Sequence, residues 1–186
     1  GQAQYAAPNL RSAYDLLFRH YELTYTDPKT NYVSHHESMD QAIRLLSDSP
    51  YASAEEFANV SEIFTDEHNP GRKRPFAIRE VVHAVLDDDI TPLERWPMLE
   101  GGESSVVCHG QLGGWPVTCI GIESRPSKRR GDQPLDGPDS WASGTLFPKS
   151  SWKVARAIND ASGRNPVLVL ANLSGFDGSP ESMRNK

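Results

Sequence analysis

The stretch "FPKSSWKVARAINDASGRNPVLVLANLSGFDGSPESMRNK", residues 147–186, decides the fold. Pro148 opens a helical pattern, Ser150 or Ser151 is placed to cap it, and Trp152, Val154, Ala155, Ala157 and Ile158 give a broad apolar face. "GRNP" ends the helix, and "VLVLAN" reads as a buried strand. Helix, short turn, buried strand, glycine loop and helix start form the pattern of an α/β unit with a parallel strand. The loop at 172–179 is then expected at the carboxyl end of that strand, where α/β sheets place ligands. Gly175 and Gly178 are expected to let the backbone turn sharply and a ligand approach closely. Amide N–H groups near Pro180 are expected to face developing negative charge. A plain strand-to-helix turn, with glycines serving geometry alone, is the competing reading of the same residues.

Working back from this unit, "SSVVCHGQLGGWPVTCIGIESR" (104–125) reads as a hairpin. Two β-rich runs, Ser105–Gly110 and Trp115–Ile122, flank a turn in which Gly113 and Gly114 can both take φ > 0. Pro116 fits near the strand start or at an edge. Cys108 and Cys119 flank the turn and can face each other, and we read them as reduced, small apolar strand residues. A long Pro/Gly/charge loop from Arg125 to about Ser143 links hairpin and helix. Upstream, "FAIREVVHAVLDDD" predicts a helix with Ile78, Val81, Val82, Val85 and Leu86 apolar. "DSPYASAEEFANVSEIFTDEHNPGRKRP" (48–75) reads as a connector, with one short helix around Ala54 to Phe57 and its firmest break at "NPGRKRP". "SMDQAIRLLS" predicts a helix with Ser38 and Gln41 at capping-box spacing and a stripe of Met39, Ala42, Ile43, Leu45 and Leu46. In "SAYDLLFRHYELTY", Ala13, Leu16, Leu17, His20 and Tyr21 recur at helical spacing behind Ser12 as N-cap.

The 186 residues suffice for one domain or parts of two, and the 37% hydrophobic and 24% charged composition fits a soluble globular protein. A net charge of −6 excludes an overall basic face, so nucleic acid is not an expected partner. The basic runs "GRKRP" (71–75) and "SKRRG" (127–131) read as solvated loop charge, with an anion site that meets a phosphate as the alternative. No apolar run reaches membrane-spanning length, and a cytoplasmic location is the expectation. No metal is expected: His35 and His36 are adjacent and point apart, and no Cys or His spacing makes a zinc pattern. Asp132, Asp136 and Asp139 in "GDQPLDGPDS" lack the terminal Glu of a calcium loop. His83 and His109 have no sequence neighbour that makes either a base, and G-x-S-x-G and P-loop patterns are absent.

The residues "GQLGGWPVTCIGIESR" and "FPKSSWKVARAINDASGRNPVLVLANLSGFDGSPESMRN" resemble the carboxyltransferase component of biotin-dependent acyl-CoA carboxylases, in the multidomain acetyl-CoA carboxylase style. In that family a hairpin with "LGG-P-G-I-G-E-TR" precedes a "P-S-K-A-A-I-ND" helix, a buried strand and an "AN-GF-G" loop. Order and spacing agree over residues 106–185. "FAIREVVHAVLDDD" is similar to the segment opening the family's second half, and "ESMDQAIRLLSDSP" to the helix closing its first. The resemblance implies an α/β, crotonase-like fold of ββα units in two halves, both incomplete here. Residues 1–50 would be the tail of the first half, 51–75 a connector and 76–186 the front of the second. It implies carboxyl transfer from carboxybiotin, carried on another domain or subunit, to acetyl-CoA or another acyl-CoA.

Implied partners are the acyl-CoA, the biotin carboxyl carrier domain, biotin carboxylase and, in the intact enzyme, further copies of the chain in a homo-oligomer. Gly175, Phe176 and Gly178 match the family's "GF-G" loop and, with Ser174, would line the biotin site, Phe176 as an apolar wall. The family commonly carries Trp-Arg before "GF", whereas Leu173 and Ser174 stand here, so an altered acyl-CoA preference is expected. The glycine pairs that hold oxyanions in the family fall outside 1–186; no complete catalytic set is expected in this chain, nor turnover by it alone. A noncatalytic crotonase-like scaffold module and the carboxyltransferase of a biotin-dependent decarboxylase are the alternatives.

Overall fold

The structure is a computed structural model, and it describes residues 5, 7–25, 57–88 and 90–184. The predicted helix at 38–47 and the residues 54–56 of the predicted short helix lie outside them, as do His35 and His36.

The hairpin organises the molecule. Strands β2 (Ser105–Leu112) and β3 (Trp115–Ile122) pair antiparallel from Ser105↔Ile122 to Leu112↔Trp115. The two-residue turn has φ 60° at Gly113 and 78° at Gly114, both left-handed, and such a turn twists with the strands it joins. A short β1 (Leu93–Arg95) adds antiparallel to β2. On the other side β7 (Val167–Leu170) adds parallel to β3, with Thr118↔Val167 and Gly121↔Leu170, completing the order β1-β2-β3-β7. The predicted parallel α/β unit is therefore present.

Alternate strand residues fill the two faces. On one face Val106, Cys108, Val117 and Cys119 meet α3 (Ile78–Val85) and the segment before it, through Phe57, Val60, Ile63, Phe76, Ile78 and Val82. Val60 and Ile63 belong to α2 (Val60–Ile63), which Asn59 caps by accepting from Glu62 N at 3.2 Å. Asn69 is 1% exposed and ties this segment together, donating to Ile63 O and accepting from Arg74 N. A 3-10 turn at Pro70–Arg72 follows Asn69. Cys108 and Cys119 are opposite one another, buried and reduced, and burial pushes both thiols up, Cys119 to about 12.

Gly121 lies on this face because α3 approaches the sheet closely there. A Cβ at 121 would sit 2.4 Å from Ile78 Cγ1. Gly121→Ala is expected to cost about 1–3 kcal/mol through overpacking, read as a lower urea midpoint with unchanged slope; an unchanged midpoint would show that α3 moves aside freely.

The opposite face is covered by α4 (Pro148–Ala161) and α1 (Leu10–Tyr25). Helix α4 buries Ser150, Lys153, Ala157 and Ala161, with Ala157 against Trp96, Val107 and Ile120. This differs from the expected apolar face. Val154 and Ala157 do turn inward, but Trp152 and Ile158 are 42% and 43% exposed and Ala155 is exposed too. The cause is polar satisfaction. Ser150 Oγ accepts from Phe147 N and donates to Phe147 O, so Ser150 caps from inside the helix at its third residue while Phe147 is the N-cap. Lys153 Nζ donates to Ser105 O at 2.7 Å and Gly102 O at 3.4 Å. These bonds fix the helix rotation, and burial pulls the Lys153 ammonium down to about 8.

Two further expectations are corrected. Strand β7 is not buried: Val167 and Val169 are 38% and 49% exposed, because β7 is the edge of the sheet among the described residues. Helix α1 begins at Leu10 rather than after Ser12. Asn9 is the cap, its Oδ1 accepting from Ser12 N at 3.0 Å. Leu16 and His20 are partly buried, whereas Leu17 is 47% exposed alongside Leu10, Tyr14 and Phe18. The His20 ring meets the buried His109 ring edge-on at 5.4 Å, and Arg19 donates to Thr91 O.

Candidate active site

Strands β3 and β7 run side by side, so their carboxyl ends open on the same rim of the sheet. The loop that leaves β7 begins there. Its residues Gly175–Phe176 form a short strand, β8, which pairs parallel with β6 (Thr145–Leu146) in the register Thr145↔Gly175 and Leu146↔Phe176. Ser174 N donates to Gly144 O at 2.7 Å, and Asp177 N to Leu146 O at 3.0 Å. Gly144 N in turn donates to Glu123 O, at the end of β3, at 2.9 Å. The Glu123 carboxylate accepts from Ile78 N and Arg125 N. Burial raises the Glu123 carboxyl, against the lowering effect of these donors.

The four sequence-predicted residues thus fall on one zipped segment. Ser174 Oγ donates to Gly144 O at 3.0 Å, with Ser143 O at 3.2 Å, so the hydroxyl is turned into the neighbouring loop. Phe176 is 74% exposed. Among the described residues, Gly175 and Gly178 have nothing within 4 Å of where a Cβ would stand, so the space before both is open there. Neither takes a left-handed φ. The left-handed glycine beside them is Gly144, at φ 61°, in the loop before β6.

A helix does begin at Pro180, α5 (Pro180–Arg184). Its first amides are already engaged, contrary to expectation: Ser182 N donates to Ser179 Oγ and Met183 N to Ser179 O. Asp177 organises this turn, accepting from Ser179 N, Ser179 Oγ and Ser182 Oγ. Burial raises its carboxyl, yet those donors outweigh burial and hold it below the usual carboxylate range.

The loop between the hairpin and α4 straps α5 down. It contains β4 (Ser127–Lys128) and β5 (Ser140–Trp141), paired antiparallel. Arg129 makes a two-pronged bond to Glu181 at 2.7 and 2.8 Å and lies over the Trp141 ring. Arg130 binds Glu103 at 2.9 Å, and Arg184 binds Asp136 at 2.8 Å. The 127–131 run is therefore a set of ion pairs at Arg129 and Arg130, not solvated loop charge. Between this strap and the start of α4 lies a cleft of about 720 Å³, bordered by Leu99, Arg130, Trp141, Lys149 and Trp152. His109 and His83 are elsewhere: burial, then Arg95, pulls His109 down to about 3, and burial lowers His83. Among the described residues, no group of three or more His, Cys, Asp or Glu is placed to hold a metal, and no helix is long and apolar enough to cross a membrane.

A hairpin, a helix, a strand and a zipped "GF-G" loop in this order meet a known pattern: the carboxyl transferase domain matches residues 27–186. The chain belongs to the carboxyl transferase domain family. It is 34% identical over 91 residues to acetyl-CoA carboxylase of Saccharomyces cerevisiae and 33% identical over 89 residues to acetyl-CoA carboxylase of Schizosaccharomyces pombe. Each match covers 44% of this chain and 4% of the relative. The resemblance carried by the hairpin and the loop is thus confirmed at family level. The carboxyl transferase match begins after α1, so that helix and its contacts to β2 and β3 lie ahead of the matched segment. Gly144 is the residue that reading the motif missed; its signal is a left-handed φ and a close approach, neither of which a single sequence displays.

Proposed function

We propose that this chain is part of the carboxyltransferase of an acyl-CoA carboxylase, moving a carboxyl group from carboxybiotin to the α-carbon of acetyl-CoA or a related acyl-CoA. The observation that carries this reading is the open-faced "GF-G" segment at the shared carboxyl rim of β3 and β7, within a carboxyl transferase match. The fold in this reading is crotonase-like, with residues 1–50 closing a first half, 51–75 connecting and 76–186 opening a second. Biotin, borne on a carrier domain or subunit, supplies the activated carboxyl group. The residues fit a flat ring. Open space before Gly175 and Gly178 admits it to the backbone, and the exposed Phe176 ring offers an apolar wall. Phe176 excludes water from that side, and Ser174 holds the segment in register through Gly144 O. The acyl-CoA, the carrier, biotin carboxylase and further copies of the chain are the partners.

Ser174 supplies no positive charge where the family commonly has arginine, and its hydroxyl is already bonded. The acyl-CoA preference is therefore expected to depart from one that relies on a cation there.

The test is Phe176→Ala in the full-length protein, assayed by malonyl-CoA decarboxylation with free biotin as acceptor. Loss of one apolar wall is expected to lower kcat/KM for biotin about tenfold. Stability should move by no more than about 0.5 kcal/mol, because the ring is exposed. Unchanged kinetics in an active enzyme would remove the loop from the biotin site. A full-length protein without any transfer would favour the noncatalytic scaffold instead.

A further inference from the structure

We propose that Gly144 is a positioning residue for carboxyl transfer, setting where Gly175 and Phe176 stand relative to the sheet. The inference rests on the functional reading above and deepens it. Gly144 lies outside the "GF-G" motif, in the loop before α4, yet its backbone bridges the end of β3 and the loop after β7. Its N–H donates to Glu123 O at 2.9 Å. Its carbonyl accepts twice from Ser174, from N at 2.7 Å and from Oγ at 3.0 Å. Next to it, Ser143 Oγ donates to Ser124 O, which fixes the same loop to the same strand end. The position of β8 is thus referred to the end of β3 through Gly144, with Ser143 beside it.

Two properties make that residue glycine. Its φ of 61° is left-handed, where an L side chain is strained. A Cβ there would stand 2.8 Å from Asn172 O and 2.9 Å from Ser174 Oγ. The first of these is backbone and cannot rotate away. A side chain at 144 must push residues 172–174 outward, and Gly175 and Phe176 with them. Displacement on the order of 1 Å at a reacting site costs on the order of 100-fold in rate.

Gly163 provides the control. It is also left-handed, at φ 74°, but among the described residues has nothing within 4 Å of its Cβ position. Gly163→Ala imposes the same kind of backbone strain without the collision, in the turn that joins α4 to β7. Both variants are to be made in the full-length protein. Melting temperature, malonyl-CoA decarboxylation with free biotin and the ATP-dependent biotin carboxylase partial reaction are then measured.

Both variants are expected to melt lower by similar amounts. Only Gly144→Ala is expected to lose transfer, on the order of 100-fold in kcat, with the partial reaction unchanged. If Gly144→Ala gives no soluble protein, Ser174→Ala carries the test, since it removes the Oγ tie without any collision. A several-fold loss in kcat with the partial reaction intact then supports the inference, and an unchanged kcat overturns it. A wild type that transfers, with Gly144→Ala no worse than Gly163→Ala, overturns this inference alone. A wild type that does not transfer overturns the functional reading, and this inference with it.

Discussion

Replacing Asp87 by alanine is expected to destabilise the protein by about 3 kcal/mol. The carboxylate accepts from Gly113 N at 2.9 Å and from Gly114 N at 2.8 Å, so one side chain satisfies both amides of the hairpin turn. Asp87 itself is 7% exposed, and its own N–H donates to Gln111 O, so the residue is held against the hairpin from both ends. A hydrogen bond to a charged group contributes about 1.5–3 kcal/mol, and a buried donor left without a partner costs its full desolvation. Asp87→Asn keeps one acceptor oxygen and is expected to lose roughly half as much. Chemical unfolding followed by tryptophan fluorescence gives both values. A loss in Asp87→Ala below about 0.5 kcal/mol would mean that water replaces the carboxylate at the turn.

Acid is expected to act through His109 with a similar magnitude. His109 is 1% exposed, beneath α1, and burial is the main reason that it is pulled down to about 3. Arg95 and His20 add to the lowering, Asp160 opposes it, and Arg164 contributes weakly in the same direction as Arg95. The folded value lies below the unfolded one, so the unfolded chain binds the proton more readily. The stabilisation is complete above about pH 6.5 and is lost as pH falls toward 3. The slope is about 1.4 kcal/mol per pH unit, giving a loss of about 3 kcal/mol between pH 7 and pH 4 from this group. His109→Asn keeps a polar partner for Thr118 Oγ1 and cannot titrate in that range. The difference in unfolding free energy between wild type and His109→Asn should shrink steadily from pH 7 to pH 4. Parallel curves would show that the imidazole takes up its proton as readily in the folded chain as in the unfolded one.

The elements were legible where the signal is local. The Gly113–Gly114 turn and the β-rich runs beside it announce a hairpin by themselves, because few other sequences satisfy two consecutive left-handed residues. The α4–β7 succession was equally clear as order and type. What the sequence did not display is which side of α4 faces inward. Periodicity favoured Trp152 and Ile158, but Lys153 and Ser150 find buried partners on the hairpin strand and the helix start, and no apolar count registers those bonds. The exposure of β7 was illegible for a related reason: "VLVLAN" is apolar enough for a central strand, and its place at the edge is a property of topology. In the candidate site, the motif pointed to a segment zipped to β6, but the left-handed bend beside it lies at another glycine. Gly175 and Gly178 provide open space, and Gly144, thirty residues before Ser174, provides the bend. Likewise, the pairing of Arg129 with Glu181 joins residues 52 apart, and a charge run offers no sign of it.

Cys108 and Cys119 sit across from one another in the middle of the sheet, inside the cluster that α3 closes. Their burial withholds the thiolate, the form that reacts with alkylating agents. A reagent in the surrounding solution therefore has to wait until the hairpin parts from α3. Each labelled thiol records one such opening, so the pair is an internal clock for the excursions of the protein's centre.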